Sequence, residues 1–147
     1  MKLGIACDHN GYKLKEKLKK YLIKKGYEIL DLGTNSTEMV DHPTYGIALG
    51  EKVRDKEVDF GIAICGTGIG MSIAANKVKG IRCARVNNVA DAKETRIHNN
   101  ANMIAIPGKL FLFEAKDIID AFLKTKYIPE ERFERRIKIM LDYEDKN

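Results

Sequence analysis

Cys65, Thr67 and the glycines Gly66, Gly68 and Gly70 form the densest cluster of chemistry-bearing residues in the chain. Three glycines in five residues permit backbone angles that other residues resist, so the amides of Gly66–Gly70, Ile69 included, can converge on an anion. A helix start behind the loop adds partial positive charge. A thiol beside such a field ionises more readily than a free one, whose pKa is about 8.5. A base and an anion cradle within six residues point to proton abstraction next to a carbonyl. Each part also has a plain structural reading. Glycine loops between strand and helix are common, and a strand-end cysteine often only packs in the core. A dinucleotide site fits poorly. Its glycine loop usually follows the first strand, with an acid about 20 residues later. This loop follows the third predicted strand, and Arg85–Val89 offers no acid.

The elements that must hold this cluster can be read in order. Apolar strands are expected at Lys2–Ala6, Glu28–Leu32, Phe60–Cys65, Ile81–Val86 and Met103–Ile106. Helices are expected at Tyr12–Lys25, from Pro43 to Arg54, from the glycine loop to Gly80, over Val89–Ile97 and Phe111–Lys124, and from Pro129 onward. Strand and helix alternate throughout. The expected fold is therefore a single Rossmann-like, doubly wound α/β domain, a five-stranded parallel sheet with helices on both faces.

Such sheets bind ligands beyond the carboxyl ends of their strands. That rule gathers Asp8 and His9, the Cys65–Gly70 loop, and Lys109. It excludes His98 and Asn99, which precede the fifth strand and fall at the opposite edge. A five-residue strand spans about 16 Å. If His98 takes part in catalysis, it reaches the Cys65 of a neighbouring subunit, so a homodimer with shared sites is expected.

Composition narrows the class. The chain has 147 residues, 44% hydrophobic and 32% charged, as one globular domain requires. No apolar run approaches the roughly 20 residues of a membrane span. The start of the chain has no secretory pattern, and three scattered cysteines argue against disulfides or a zinc site, so a reducing cytoplasm is expected. The net charge of +5 suits an anionic ligand, although Lys13–Lys25 supplies much of it. Those lysines read as the solvated side of an amphipathic helix. No aromatic stacking series accompanies them, which argues against nucleic acid.

Taken together, Asp8-His9-x-Gly11, Asp41-x-Pro43, Cys65–Gly70 followed by Ser72–Lys77, and Arg96-x-His98-Asn99 resemble ribose-5-phosphate isomerase B. The likeness runs over essentially the whole chain. It implies a metal- and cofactor-independent enzyme interconverting ribose 5-phosphate and ribulose 5-phosphate, with sites between the subunits of a dimer or tetramer. By that resemblance Cys65 is the base that moves the proton between C2 and C1, with Thr67 assisting. The backbone of Gly66–Gly70 would hold the enediolate oxygen. His98 would open the sugar ring, Asp8 and Asn99 would orient hydroxyls, and His9, Lys109, Arg132 and Arg136 would surround the phosphate.

The residues agree in type: arginines at i and i+4 share a helical face, and histidine donates protons near neutrality. As plain structure, Arg132 and Arg136 would be solvated surface, His98 a helix-end cation and His9 a turn residue. Three positions depart from the family pattern. His42 stands where a tyrosine is usual, with Tyr45 three residues on, leaving open which ring meets the sugar. Lys109 replaces an arginine, and Phe133 a histidine. Siblings act on six-carbon substrates such as galactose 6-phosphate or allose 6-phosphate. A non-catalytic phosphate- or nucleotide-binding module is the remaining alternative.

Overall fold

A computed structural model describes all of residues 1–147. Five strands form a parallel sheet: β1 (Lys2–Cys7), β2 (Glu28–Asp31), β3 (Phe60–Cys65), β4 (Cys83–Arg85) and β5 (Met103–Pro107). The helices are α1 (Tyr12–Lys24), α2 (His42–Arg54), α3 (Ile69–Ala75), α4 (Val89–Asn99), α5 (Leu112–Lys124) and α6 (Glu131–Asp145). No helix is long and apolar enough to cross a membrane.

The strand order is β2-β1-β3-β5-β4. The chain moves outward from β1 to β2, then returns past β1 to β3. The order therefore reverses between β1 and β3, and their carboxyl ends, Asp8 and Cys65, flank the switch point where such sheets open a crevice.

Side chains alternate across the sheet, which sorts the core into two layers. Ile62 and Ile64 of β3 join Leu14, Leu18 and Leu22 of α1 and Ile118, Ile119 and Phe122 of α5 on one face. Ala63 and Cys65 join Leu49 and Val53 of α2 and Met71 and Ala75 of α3 on the other. Small residues on that second face let α2 come close: a side chain on Gly4 would run into Leu49 at 2.5 Å.

Several boundaries differ from the sequence reading. The third helix stops at Ala75, five residues before Gly80, because Asn76 is used elsewhere. Its amide donates to the Cys83 carbonyl and accepts from the Cys83 N–H, both at 2.8 Å, tying the helix end to β4. The last helix starts at Glu131, two residues after Pro129.

Lys15 overturns the view of Lys13–Lys25 as wholly solvated. It is fully buried, and its Nζ donates to both Asp31 oxygens at 2.8 and 2.7 Å. Lys19 joins the same carboxylate at 2.8 Å. Burial alone would push Asp31 up; hydrogen bonds from Lys15, Lys19 and the Gly33 N–H outweigh it and hold the carboxyl below its usual range.

Candidate active site

Three strand ends meet at the carboxyl edge of the sheet, at a separation only glycines allow. A side chain on Gly11 would strike the Ile64 carbonyl at 2.6 Å, and one on Gly108 would collide with the Asn10 backbone. The Gly108 N–H donates to the Cys65 carbonyl at 2.7 Å. The ends of β1, β3 and β5 are thus locked together around Cys65.

The glycine loop crosses from there over β5. Gly68 adopts φ +78°, and a Cβ on it would sit 3.0 Å from the Ile106 carbonyl carbon. Both its conformation and its clearance exclude a side chain. Beyond β5, Arg85 of β4 donates from Nε to the Thr67 carbonyl at 3.0 Å and pins the loop. The Thr67 hydroxyl is exposed and accepts the Ile69 N–H at 3.2 Å. The N–H groups of Gly66, Thr67, Gly68 and Gly70 meet no acceptor within the chain. With only seven residues in α3, these loop amides carry the anion-binding capacity rather than a long helix dipole.

Cys65 is 5% exposed and points to the α2–α3 face. None of the four principal surface concavities is lined by it. Burial pushes the other two thiols, Cys7 and Cys83, each up to about 12, although Cys83 borders a concavity that it shares with Asn99 and Met140. Asp8 is buried beside the loop, its Oδ1 accepting the N–H groups of Asn10 and Gly11 at 2.9 and 3.2 Å. His9 accepts the Val40 N–H on Nδ1 at 3.2 Å, drawing in the segment that leads to α2. Lys109 is exposed after β5 and makes no hydrogen bond or ion pair.

The two candidate rings separate cleanly. His42 lies on Gly70, where a Cβ would come within 2.5 Å of its Nε2. Tyr45 packs toward Gly33 instead, at 3.2 Å from where a Cβ would stand. His42 is the ring at the glycine loop. It also borders an apolar groove of about 440 Å³ between α2 and α3, with Ile47 and Ile73.

His98, Asn99, Arg132 and Arg136 form a second group on α4 and α6. The His98 ring stands 5.2 Å from Phe133, and the Arg132 guanidinium 4.7 Å from that same ring. His98 Nδ1 lies 2.8 Å from Glu94 Oε2, one helical turn back. Arg136 is exposed with no ion pair. Arg82 donates to the Asn99 and Asn100 carbonyls, both at 3.0 Å, and fixes the turn that ends α4. His98 and Asn99 precede β5, at the edge of the sheet away from Cys65, and Phe133 brings Arg132 of α6 beside them.

Asn10, Arg82, Arg85 and Glu94 were not singled out from the sequence. Arg85 ends β4, so the rule of carboxyl strand ends could have found it. Asn10 sits 3.4 Å from where a Cβ on Gly66 would stand, a contact that crosses between strands and leaves no sequence pattern.

The chain matches the family Ribose/Galactose Isomerase over residues 3–140. A solved ribose-5-phosphate isomerase B from Clostridium thermocellum superposes with a TM-score of 0.96 at 44% identity, covering 99% of both chains. Escherichia coli ribose-5-phosphate isomerase B is 42% identical over 86% of this chain and 85% of its own length. Galactose-6-phosphate isomerase subunit LacB of Clostridium acetobutylicum is 41% identical over 94% of this chain and 80% of that one. The chain belongs to the ribose/galactose isomerase family, and it is a sugar-phosphate isomerase of that family.

Proposed function

We propose that the chain interconverts ribose 5-phosphate and ribulose 5-phosphate through an enediolate, without metal or cofactor. One observation carries this: Cys65 lies at the switch point beside a loop whose amides are free to receive an oxyanion. Its thiolate takes the proton from C2 and returns it to C1, while the carbonyl oxygen gains charge against the free N–H groups of Gly66, Thr67, Gly68 and Gly70. One such donor is worth about 3–4 kcal/mol in the barrier. Thr67 holds the loop open through its bond to Ile69 and presents its hydroxyl beside the base. Asp8, with Oδ2 uncommitted, orients a sugar hydroxyl.

The second group completes the site from another copy of the chain. His98 and Asn99 precede β5 whereas Cys65 ends the adjacent parallel strand, and Arg132 shares the Phe133 ring with His98, so on this reading the group serves the Cys65 of another copy. In a homodimer, or a tetramer of such dimers, His98 opens the furanose ring over the partner's Cys65. Arg132 and Arg136 then face His9 and Lys109 across the phosphate. Cys65, 5% exposed in one chain, becomes the floor of a closed site.

A six-carbon substrate is the second reading. The identity to LacB favours it, as does the place of His42 on Gly70 where the family pattern has tyrosine. One experiment addresses both. The protein is incubated in heavy water with ribose 5-phosphate, allose 6-phosphate or galactose 6-phosphate, and deuterium at C2 is followed by NMR. Exchange that is fastest with the pentose supports the first reading, fastest with a hexose the second. Tight binding with no exchange on any sugar would leave only a binding module.

A further inference from the structure

His98 is held on two sides by residues to which no role has been assigned. Its Nδ1 meets the Glu94 carboxylate at 2.8 Å, and its ring rests against Phe133 at 5.2 Å with an interplanar angle of 55°. Nε2 makes no hydrogen bond within the chain. A carboxylate only accepts, so its partner nitrogen must carry the proton. The arrangement chooses one ring nitrogen for structure and leaves the other for chemistry.

We propose that Glu94 is the positioning residue for His98, holding Nδ1–H so that Nε2 alone meets the sugar ring. This rests on the reading of His98 as the ring-opening acid. As the bond between the anomeric carbon and the ring oxygen breaks, the ring oxygen takes the Nε2 proton of the imidazolium. The anomeric hydroxyl gives its proton to water, leaving an aldehyde and a free hydroxyl. The imidazole, still held at Nδ1, regains a proton from solvent. Without Glu94 the neutral ring can place its one proton on either nitrogen and can turn about its side-chain bonds. Phe133 limits that turning from the α6 side, where Arg132 backs it at 4.7 Å and is itself paired with Glu130 at 3.3 Å.

Glu94 suits the test because it is 58% exposed, and an exposed ion pair adds little to stability. Native protein, Glu94→Ala and Glu94→Gln are compared on two rates. One is the conversion of cyclic ribose 5-phosphate. The other is deuterium entry at C1 of ribulose 5-phosphate, which has no ring to open. Glu94→Ala is expected to slow the first about tenfold or more, within the range that acid catalysis supplies, and to leave the second near native. Glu94→Gln, whose amide oxygen still accepts from Nδ1–H, recovers most of the loss. Nitrogen NMR of the His98 ring is expected to show Nδ1–H in native protein and a tautomer mixture in Glu94→Ala.

A native conversion rate in Glu94→Ala would overturn the proposal. So would equal loss of both rates, a Gln variant as slow as Ala, or an unchanged tautomer. If native protein exchanges no deuterium at all, the isomerase reading fails instead, and the ring tautomer still reports on Glu94.

Discussion

At the scale of single residues, three cysteines of one chain face three different fates. Cys7 donates to the Thr34 carbonyl at 3.8 Å inside the core, and Cys83 packs with Met71 and Ala75 of α3; burial lifts both thiols to about 12. Cys65 alone ends a strand beneath free amides. Cys65→Ala is therefore expected to abolish deuterium exchange while thermal unfolding stays within a few degrees of native, since the change removes a single sulfur atom from the core. A Cys65→Ala protein that still turns over near the native rate would take the thiol out of the mechanism. The motif around Cys65 was legible because glycines at fixed spacing announce a backbone requirement. The ring beside it was not. His42 and Tyr45 are three apart on one helix, and only the packing of α2 on α3 decides which of them reaches Gly70.

At the scale of elements, β3 was read from the sequence to the residue, because a six-residue apolar run between charged residues and glycines has no other reading. The helix after the glycine loop was overextended, since nothing local reveals that Asn76 spends its amide on Cys83. Lys15 was misread as surface, although its spacing was informative. It lies three residues before Leu18 and seven before Leu22, on the stripe that faces the sheet. There it joins α1 to β2 through Asp31. Lys15→Met keeps the stem and removes the charge, and is expected to cost roughly 3–5 kcal/mol in urea unfolding at neutral pH, as breaking a buried pair does. The native carboxyl of Asp31 is held below its ordinary value of 3.8. Its contribution is thus complete above that value and is lost as pH falls through the depressed one. The gap between native and variant is expected to narrow in acid; a gap that widens would mean the pair is not what stabilises this junction.

At the scale of the whole molecule, alternating periods were enough for a doubly wound sheet, but not for the order β2-β1-β3-β5-β4. Hydrophobic pattern says which segments are buried and nothing about which neighbour each one takes. The parallel pairing of β3 with β5 puts Cys65 and His98 at opposite edges, and sharing between subunits then becomes measurable. On cyclic ribose 5-phosphate, Cys65→Ala is expected to be inactive and His98→Asn nearly so. Refolded together in equal amounts, they should recover about one quarter of native activity, because half the dimers are mixed and each of these has one intact site. No recovery, with mixed dimers present by mass spectrometry, would place each site within a single chain. The interlock of Gly11, Gly66 and Gly108 carries a further consequence, for how such a chain can change over generations. Where three turns fill one another's space, a single added residue in any of them would displace the other two. Length variation among descendants should therefore collect in the exposed stretch from Asn35 to Asp41, and the crowded edge should vary in side chains alone.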